Sequence, residues 1–220
     1  MRAVVVDEFG GPEVLRLRDV PDPVPGPGQV AIDVAYVGLN FADVMGRANG
    51  YLVPSLPFVP GLEASGRVRA TGEGVDGLAV GQPVTTMTLS GGYADVVVVP
   101  SALAFALPDA IDRRTAAALP IVLPTAHALV HESGRLLTGE TVLVHGAAGG
   151  VGTVAGQIAS GAGAAAVYGV VSTPEKAAYA LGFGYDEVFL AACGSDLNEA
   201  VENVRVGTTV TLTVALASAQ

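Results

Sequence analysis

Cysteine, charge and long apolar runs are all scarce in this chain. Its one cysteine, Cys193, leaves no internal disulfide to form, which suits a reducing cytoplasm. Only 15% of the 220 residues are charged although half are hydrophobic, against about 25% charged in an average soluble domain. So few charges imply apolar surface patches of the kind that a partner or further chain normally covers. No window approaches the roughly 18 unbroken apolar residues of a membrane span. The acidic Asp7 and Glu8 come too early for a signal peptide. The net charge of −10 repels a phosphate backbone, and no Lys/Arg cluster offsets it. These absences argue against nucleic acid and membrane partners. They leave a small-molecule partner and a cytoplasmic location as the expectation.

What is present divides in two. Short apolar or alternating runs at 3–6, 30–37, 66–70, 84–89 and 93–99 are separated by turn formers such as Pro21-Asp22-Pro23-Val24-Pro25-Gly26-Pro27-Gly28 and Gly72-Glu73-Gly74. Short strands with frequent turns predict a small barrel or sandwich. From about 112–120 the character changes. Helical stretches at 115–119 and 125–131 lead into strands at 141–145, 165–171, 187–191 and 210–215, interleaved with helices at 150–160, 174–181 and 197–204. That alternation predicts a parallel sheet with crossover helices. Burial of both sheet faces accounts for unbroken apolar runs such as Val142-Leu143-Val144. The expected domains are 1–115 and 116–220.

The segment Gly146-Ala147-Ala148-Gly149-Gly150-Val151-Gly152 follows a strand and opens a helix. Glycine permits the tight turn and lets bare backbone approach a pyrophosphate, while the helix N-terminus offers free N–H groups and partial positive charge. A ligand-free strand–helix turn is the plainer alternative. At the end of the second strand, where an acid would bind the ribose of NAD, the chain reads Val171-Ser172-Thr173-Pro174-Glu175-Lys176. Ser172 and Lys176 suit a 2′-phosphate, which favours NADPH. The same residues also read as an ordinary helix start, with Thr173 capping and Pro174 in the first position.

Taken together, several motifs resemble the quinone reductase (zeta-crystallin-like) branch of the medium-chain dehydrogenase/reductase superfamily. They are Arg2-Ala3-Val4-Val5-Val6 with Phe9-Gly10-Gly11-Pro12-Glu13-Val14-Leu15, Val37-Gly38-Leu39-Asn40-Phe41-Ala42-Asp43, Arg47 with Gly50-Tyr51, Pro60-Gly61-Leu62-Glu63-Ala64-Ser65-Gly66, and His145 through Gly152. The resemblance runs from residue 1 to about 196. It implies a GroES-like β-barrel followed by a Rossmann domain that binds NADPH, with hydride passing to a quinone or an α,β-unsaturated carbonyl compound. It places Asn40 beside the nicotinamide, although a strand-closing turn residue is an equal reading of that asparagine. Tyr51 is the aromatic hydroxyl that could orient a substrate carbonyl, and Thr125 falls where the resemblance puts a cofactor-contacting hydroxyl. The cofactor-binding set expected is thus Thr125, Gly146, Ala148, Gly149, Gly150, Val151, Gly152, Ser172 and Lys176; the expected catalytic pair is Asn40 and Tyr51.

Zinc alcohol dehydrogenases of this superfamily place a Cys where this chain has Asn40 and a His where it has Leu62, and add a four-cysteine lobe. With one cysteine in all, the expectation is no metal site. His127 and His131, four apart on a helix, have no third ligand nearby in sequence and read as packing residues. Asp43 and Arg47, also four apart, read as a helix-surface ion pair. Family members continue beyond residue 220, so the expected nucleotide domain is an incomplete Rossmann fold of a truncated chain, either still an enzyme or a catalytically silent NADP-binding module. A fourth strand at 210–215 would then form an uncovered sheet edge. The expected outcome is self-association into a homo-oligomer, measurable by size-exclusion chromatography with light scattering; a stable monomer at micromolar concentration would contradict it.

Overall fold

A computed structural model of the chain describes residues 1–53, 55–191 and 209–213, the last stretch by its backbone course. Two compact units result, Met1–Ile121 and Val122–Gln220.

The first unit is antiparallel. Strand β1 (Arg2–Val5) pairs with β2 (Arg16–Asp19). A five-stranded sheet has the order β6-β3-β4-β5-β7, built from β3 (Gln29–Val37), β4 (Glu63–Thr71), β5 (Pro83–Met87), β6 (Val96–Pro100) and β7 (Ala104–Ala106). The β3–β4 register shifts at Ala31/Ile32 and again at Val34/Tyr36. Such irregularities bend a strand and increase its twist, which curls the sheet. Val30, Ile32, Val68, Val84, Val97 and Val99 form one apolar cluster and are almost wholly buried. Full burial of each such side chain is worth about 1.5–3 kcal/mol. The strands expected from the sequence all form, with ends displaced by a few residues. Strands β2 and β7 give no clear sequence signal: every residue of β2 is exposed, so no apolar alternation marks it.

Helix α1 (Phe41–Asn49) follows β3, and the short α2 (Arg113–Ala116) is capped by Asp112, whose carboxylate accepts from Arg114 N and Thr115 N. Two buried hydroxyls tie α2 to the sheet. Ser65 Oγ donates to the Arg113 carbonyl, and Thr85 Oγ1 contacts the Ala116 carbonyl at 2.7 Å. Residues beyond 115 therefore still pack with the first unit.

In the second unit, α3 (Val122–His127) runs on through a π-helical stretch at Ala128–Ser133. Then come β8 (Thr141–His145), α4 (Gly150–Gly161), β9 (Ala166–Val171), α5 (Pro174–Ala180), β10 (Glu187–Leu190) and β11 (Thr209–Thr213). All pair in parallel in the order β10-β9-β8-β11, the 3-2-1-4 part of a Rossmann sheet. Val142 and Val144 face one apolar cluster, Leu143 and Val170 another, as expected when both sheet faces are covered. The expected helix at 197–204 and the last two residues of the expected strand at 210–215 lie outside the described residues, as does Cys193.

Helix α4 turns a face of Gly152, Ala155, Gly156 and Ala159 inward. These small residues let Tyr185 enter: its ring lies where a Cβ on Gly156 would be 2.6 Å away, and its hydroxyl donates to the Gly152 carbonyl at 2.6 Å. Tyr185→Phe is expected to cost about 1 kcal/mol, the net worth of one hydrogen bond. Tyr185→Ala is expected to cost about 3–5 kcal/mol through the cavity it leaves. Denaturant unfolding checks both, and near-equal costs would contradict the packing role of the ring.

Candidate functional site

The second unit presents a turn suited to an anion. After His145 the chain enters the left-handed region at Gly146, with φ +73°. The amides of Gly146 and Ala147 both donate to the Val170 carbonyl on β9, at 3.0 and 3.2 Å, which seats the turn on the neighbouring strand. Gly149 N donates back to Gly146 O at 2.8 Å. At Gly152 the approach is closest: a Cβ there would lie 2.2 Å from the Gly146 oxygen. Bare glycine thus presses the first turn of α4 against the end of β8. Gly149 is the N-cap and has no side chain to satisfy the first amides. Gly146, Gly149 and Gly150 are exposed, while Ala148 and Val151 are half-buried. Uncapped amides at the start of a 12-residue helix carry partial positive charge and suit phosphate oxygens.

Beside this turn, at the end of β9, Lys176 Nζ donates to Ser172 Oγ at 3.1 Å, and both side chains are exposed. Lys176 is the chain's only lysine. Thr173 caps α5 through the Lys176 amide, at 3.3 Å, and Pro174 takes the first helical position. The capping role and the Ser172–Lys176 pair therefore coexist, because different side chains supply them. Thr125 lies exposed on α3, whose Val122 side chain lies against Gly150. The His127 and His131 rings pack against each other at a tilt of 48°, with centroids 4.5 Å apart. Among the described residues no three His, Cys, Asp or Glu side chains form a metal-binding group.

The first unit contains a buried polar cluster. Asn40 stands at the N-cap of α1, and its backbone amide donates to the Asp43 carboxylate at 2.9 Å. Asp43 is buried and also accepts from Gly61 N at 3.0 Å and Tyr93 Oη at 3.2 Å. Asp43 and Arg47, expected as a helix-surface ion pair, do not pair, because Asp43 is buried. Arg47 donates instead to the Gly10 carbonyl, and the backbone amides of Asn40 and Gly61 with the Tyr93 hydroxyl donate to the Asp43 carboxylate. The Asn40 side-chain nitrogen donates to Glu63 Oε1 at 2.8 Å, while Glu63 Oε2 accepts from Ile121 N at 2.9 Å. Burial raises the Glu63 carboxyl above the usual carboxylate range, the two N–H donors partly offset this, and the Asp43 charge adds to the rise. Burial, then the Asp43 charge, pushes the Tyr93 phenol above its ordinary value.

Of the expected catalytic pair, Asn40 belongs to this cluster, whereas Tyr51 is half exposed on a shallow depression with Asp43, Gly61, Leu62 and Leu89. Among the described residues no hydrogen bond joins the two. Glu63 and Tyr93 were not singled out from the sequence. The available signal was an acid opening the otherwise apolar run Glu63-Ala64-Ser65-Gly66.

Residues 26–109 match the alcohol dehydrogenase GroES-like domain family. The chain is 42% identical over 192 residues to the quinone oxidoreductase of Lama guanicoe, a match covering 86% of this chain and 58% of that protein. It is 42% identical over 175 residues to the synaptic vesicle membrane protein VAT-1 homolog of Rattus norvegicus, covering 78% of this chain and 43% of the relative. The structure of Escherichia coli quinone oxidoreductase complexed with NADPH superimposes with a TM-score of 0.86 at 32% identity, covering 92% of this chain and 62% of that one. The chain thus spans about half the length of the curated relatives it matches. Among the described residues no helix is long and apolar enough to cross a membrane.

Proposed function

The chain belongs to the quinone oxidoreductase branch of the medium-chain dehydrogenase/reductase superfamily, and from that premise we propose that it binds NADPH and serves hydride transfer to a quinone or an α,β-unsaturated carbonyl compound. The observation that carries this reading is the uncapped glycine turn before α4 with the Ser172–Lys176 pair at the end of the adjacent strand. The residues fit the cofactor's polar half. Bare backbone at Gly149 and Gly150 leaves room for a pyrophosphate where side chains would stand, and the lone lysine offers charge for a 2′-phosphate.

NADPH supplies the hydride; the chain's part is orientation and exclusion of water. In this reading the first-turn amides of α4 hold the pyrophosphate and Ser172 with Lys176 distinguish NADPH from NADH. Thr125 offers its hydroxyl to the cofactor as a hydrogen-bond partner, and Asn40 and Tyr51 are the side chains that serve the substrate. The substrate is a small molecule, and the low charge content supports self-association of the chain in the cytoplasm.

NADPH is expected to bind more tightly than NADH. Loss of one charge-assisted hydrogen-bond partner costs about 1.5–3 kcal/mol. Lys176→Ala should therefore weaken NADPH by roughly tenfold to a hundredfold and leave NADH unchanged, as followed by fluorescence titration. Equal affinities of the parent protein for the two cofactors would defeat the assignment. Asn40 and Leu62 replace the sulfur and imidazole that hold zinc in the alcohol dehydrogenases of the superfamily, so turnover should survive strong chelators. Elemental analysis giving one zinc per chain would contradict that part of the proposal.

A further inference from the structure

Glu63 is a buried acid, 2% exposed at the start of β4. Gly38 makes its space: a Cβ there would lie 2.1 Å from Glu63 Oε1. Burying a carboxylate is costly unless both oxygens find donors, and here each oxygen has one, Asn40 Nδ2 and Ile121 N. A carboxylate can only accept. The group that Asn40 turns toward it must therefore be the NH2 and not the carbonyl oxygen. At the helix start the Asp43 amide donates to the Asn40 main-chain carbonyl at 3.0 Å, and the Asn40 side chain makes no cap hydrogen bond. With one N–H engaged by Glu63, the second N–H of the same NH2 is the further donor that Asn40 offers.

We propose that Glu63 is a positioning residue that fixes the Asn40 carboxamide as a hydrogen-bond donor, so that a substrate carbonyl oxygen is received at Asn40 by an N–H. The identity of that carbonyl as a quinone or enone rests on the function proposed above. An N–H held in place by a buried carboxylate is suited to the negative charge that develops on a carbonyl oxygen as hydride arrives, because no reorganisation is needed at that moment. Glutamine cannot replace Glu63 in this role. It has one acceptor oxygen for two donors, so either Asn40 or Ile121 must face an NH2 group.

The test uses the full 220-residue protein labelled with 15N. The side-chain NH2 resonances of Asn40, assigned by their loss in Asn40→Asp, are followed against pH. They should move with a carboxyl titration above the usual carboxylate range. The other titratable groups facing this carboxylate are Asp43 and Tyr93, so the movement should persist in Asp43→Asn and in Tyr93→Phe. It should vanish in Glu63→Gln. A wild-type Asn40 pair indifferent to pH, or one that still titrates in Glu63→Gln, overturns the proposal.

With NADPH and 9,10-phenanthrenequinone, Glu63→Gln should lower kcat by roughly a hundredfold while NADPH affinity stays unchanged. The double variant Glu63→Gln with Asn40→Asp restores the hydrogen-bond pattern in reverse: the new amide donates to the new carboxylate and still accepts from Ile121. It should recover the thermal midpoint lost in Glu63→Gln without recovering turnover, since position 40 no longer donates. Recovery of turnover would also overturn the proposal. If the parent protein shows no quinone turnover, the quinone reading fails, while the Asn40 resonances still decide the role of Glu63.

Discussion

Where β8 gives way to α4, the Gly146 oxygen and the Cα of Gly152 are so close that one methyl group at residue 152 would lie 2.2 Å from that oxygen. The close approach fixes the entry of α4 onto the sheet, and the small inward face of the helix continues it, with Ala155, Gly156 and Ala159 after Gly152. Tyr185 then locks the arrangement from the β9–β10 side by bonding the Gly152 carbonyl. Because the turn itself is glycine and the N-cap has no polar side chain, no side chain caps the amides at the helix start, the arrangement that suits an anion. The close packing and the uncapped helix start thus share one cause, the absence of side chains where backbone meets backbone.

The first unit, a GroES-like domain, is organised around the opposite kind of constraint. Two carboxylates, Asp43 and Glu63, are buried among backbone amides, an asparagine NH2 and a tyrosine hydroxyl. Their mutual charge raises the Glu63 carboxyl further than burial alone. A folded-state pKa above the unfolded value means that the native protein holds this proton more tightly. Stability from this group therefore falls as pH rises from the ordinary glutamate range through the raised native value. That loss is set against the hydrogen bonds that the two Glu63 oxygens accept, from the Asn40 NH2 and the Ile121 amide.

The Rossmann half was legible because its signals are local. Apolar strands followed at once by glycines, and Thr173-Pro174 before a helix, carry their meaning within a few residues, and β8, α4, β9 and α5 lie where those signals put them. The polar cluster was not legible in the same way. Glu63 meets Asn40 across 23 positions and Ile121 across 58, and Tyr93 meets Asp43 across 50. Local spacing even misdirected the reading of Asp43, since a carboxylate four residues before Arg47 looks like a surface pair until the amide of Gly61 is brought to it by the fold. Strand β2 escaped for the converse reason, because its exposed residues pair by backbone alone.

The central claim is that the β8–α4 turn and the end of β9 hold a 2′-phosphorylated dinucleotide. Amide hydrogen exchange of the 220-residue chain, measured alone and with saturating NADPH or NADH, tests it most directly. NADPH should slow exchange both at 146–152 and at 172–176, whereas NADH should slow it at 146–152 alone. Unchanged exchange at 146–152 in saturating NADPH would contradict the account.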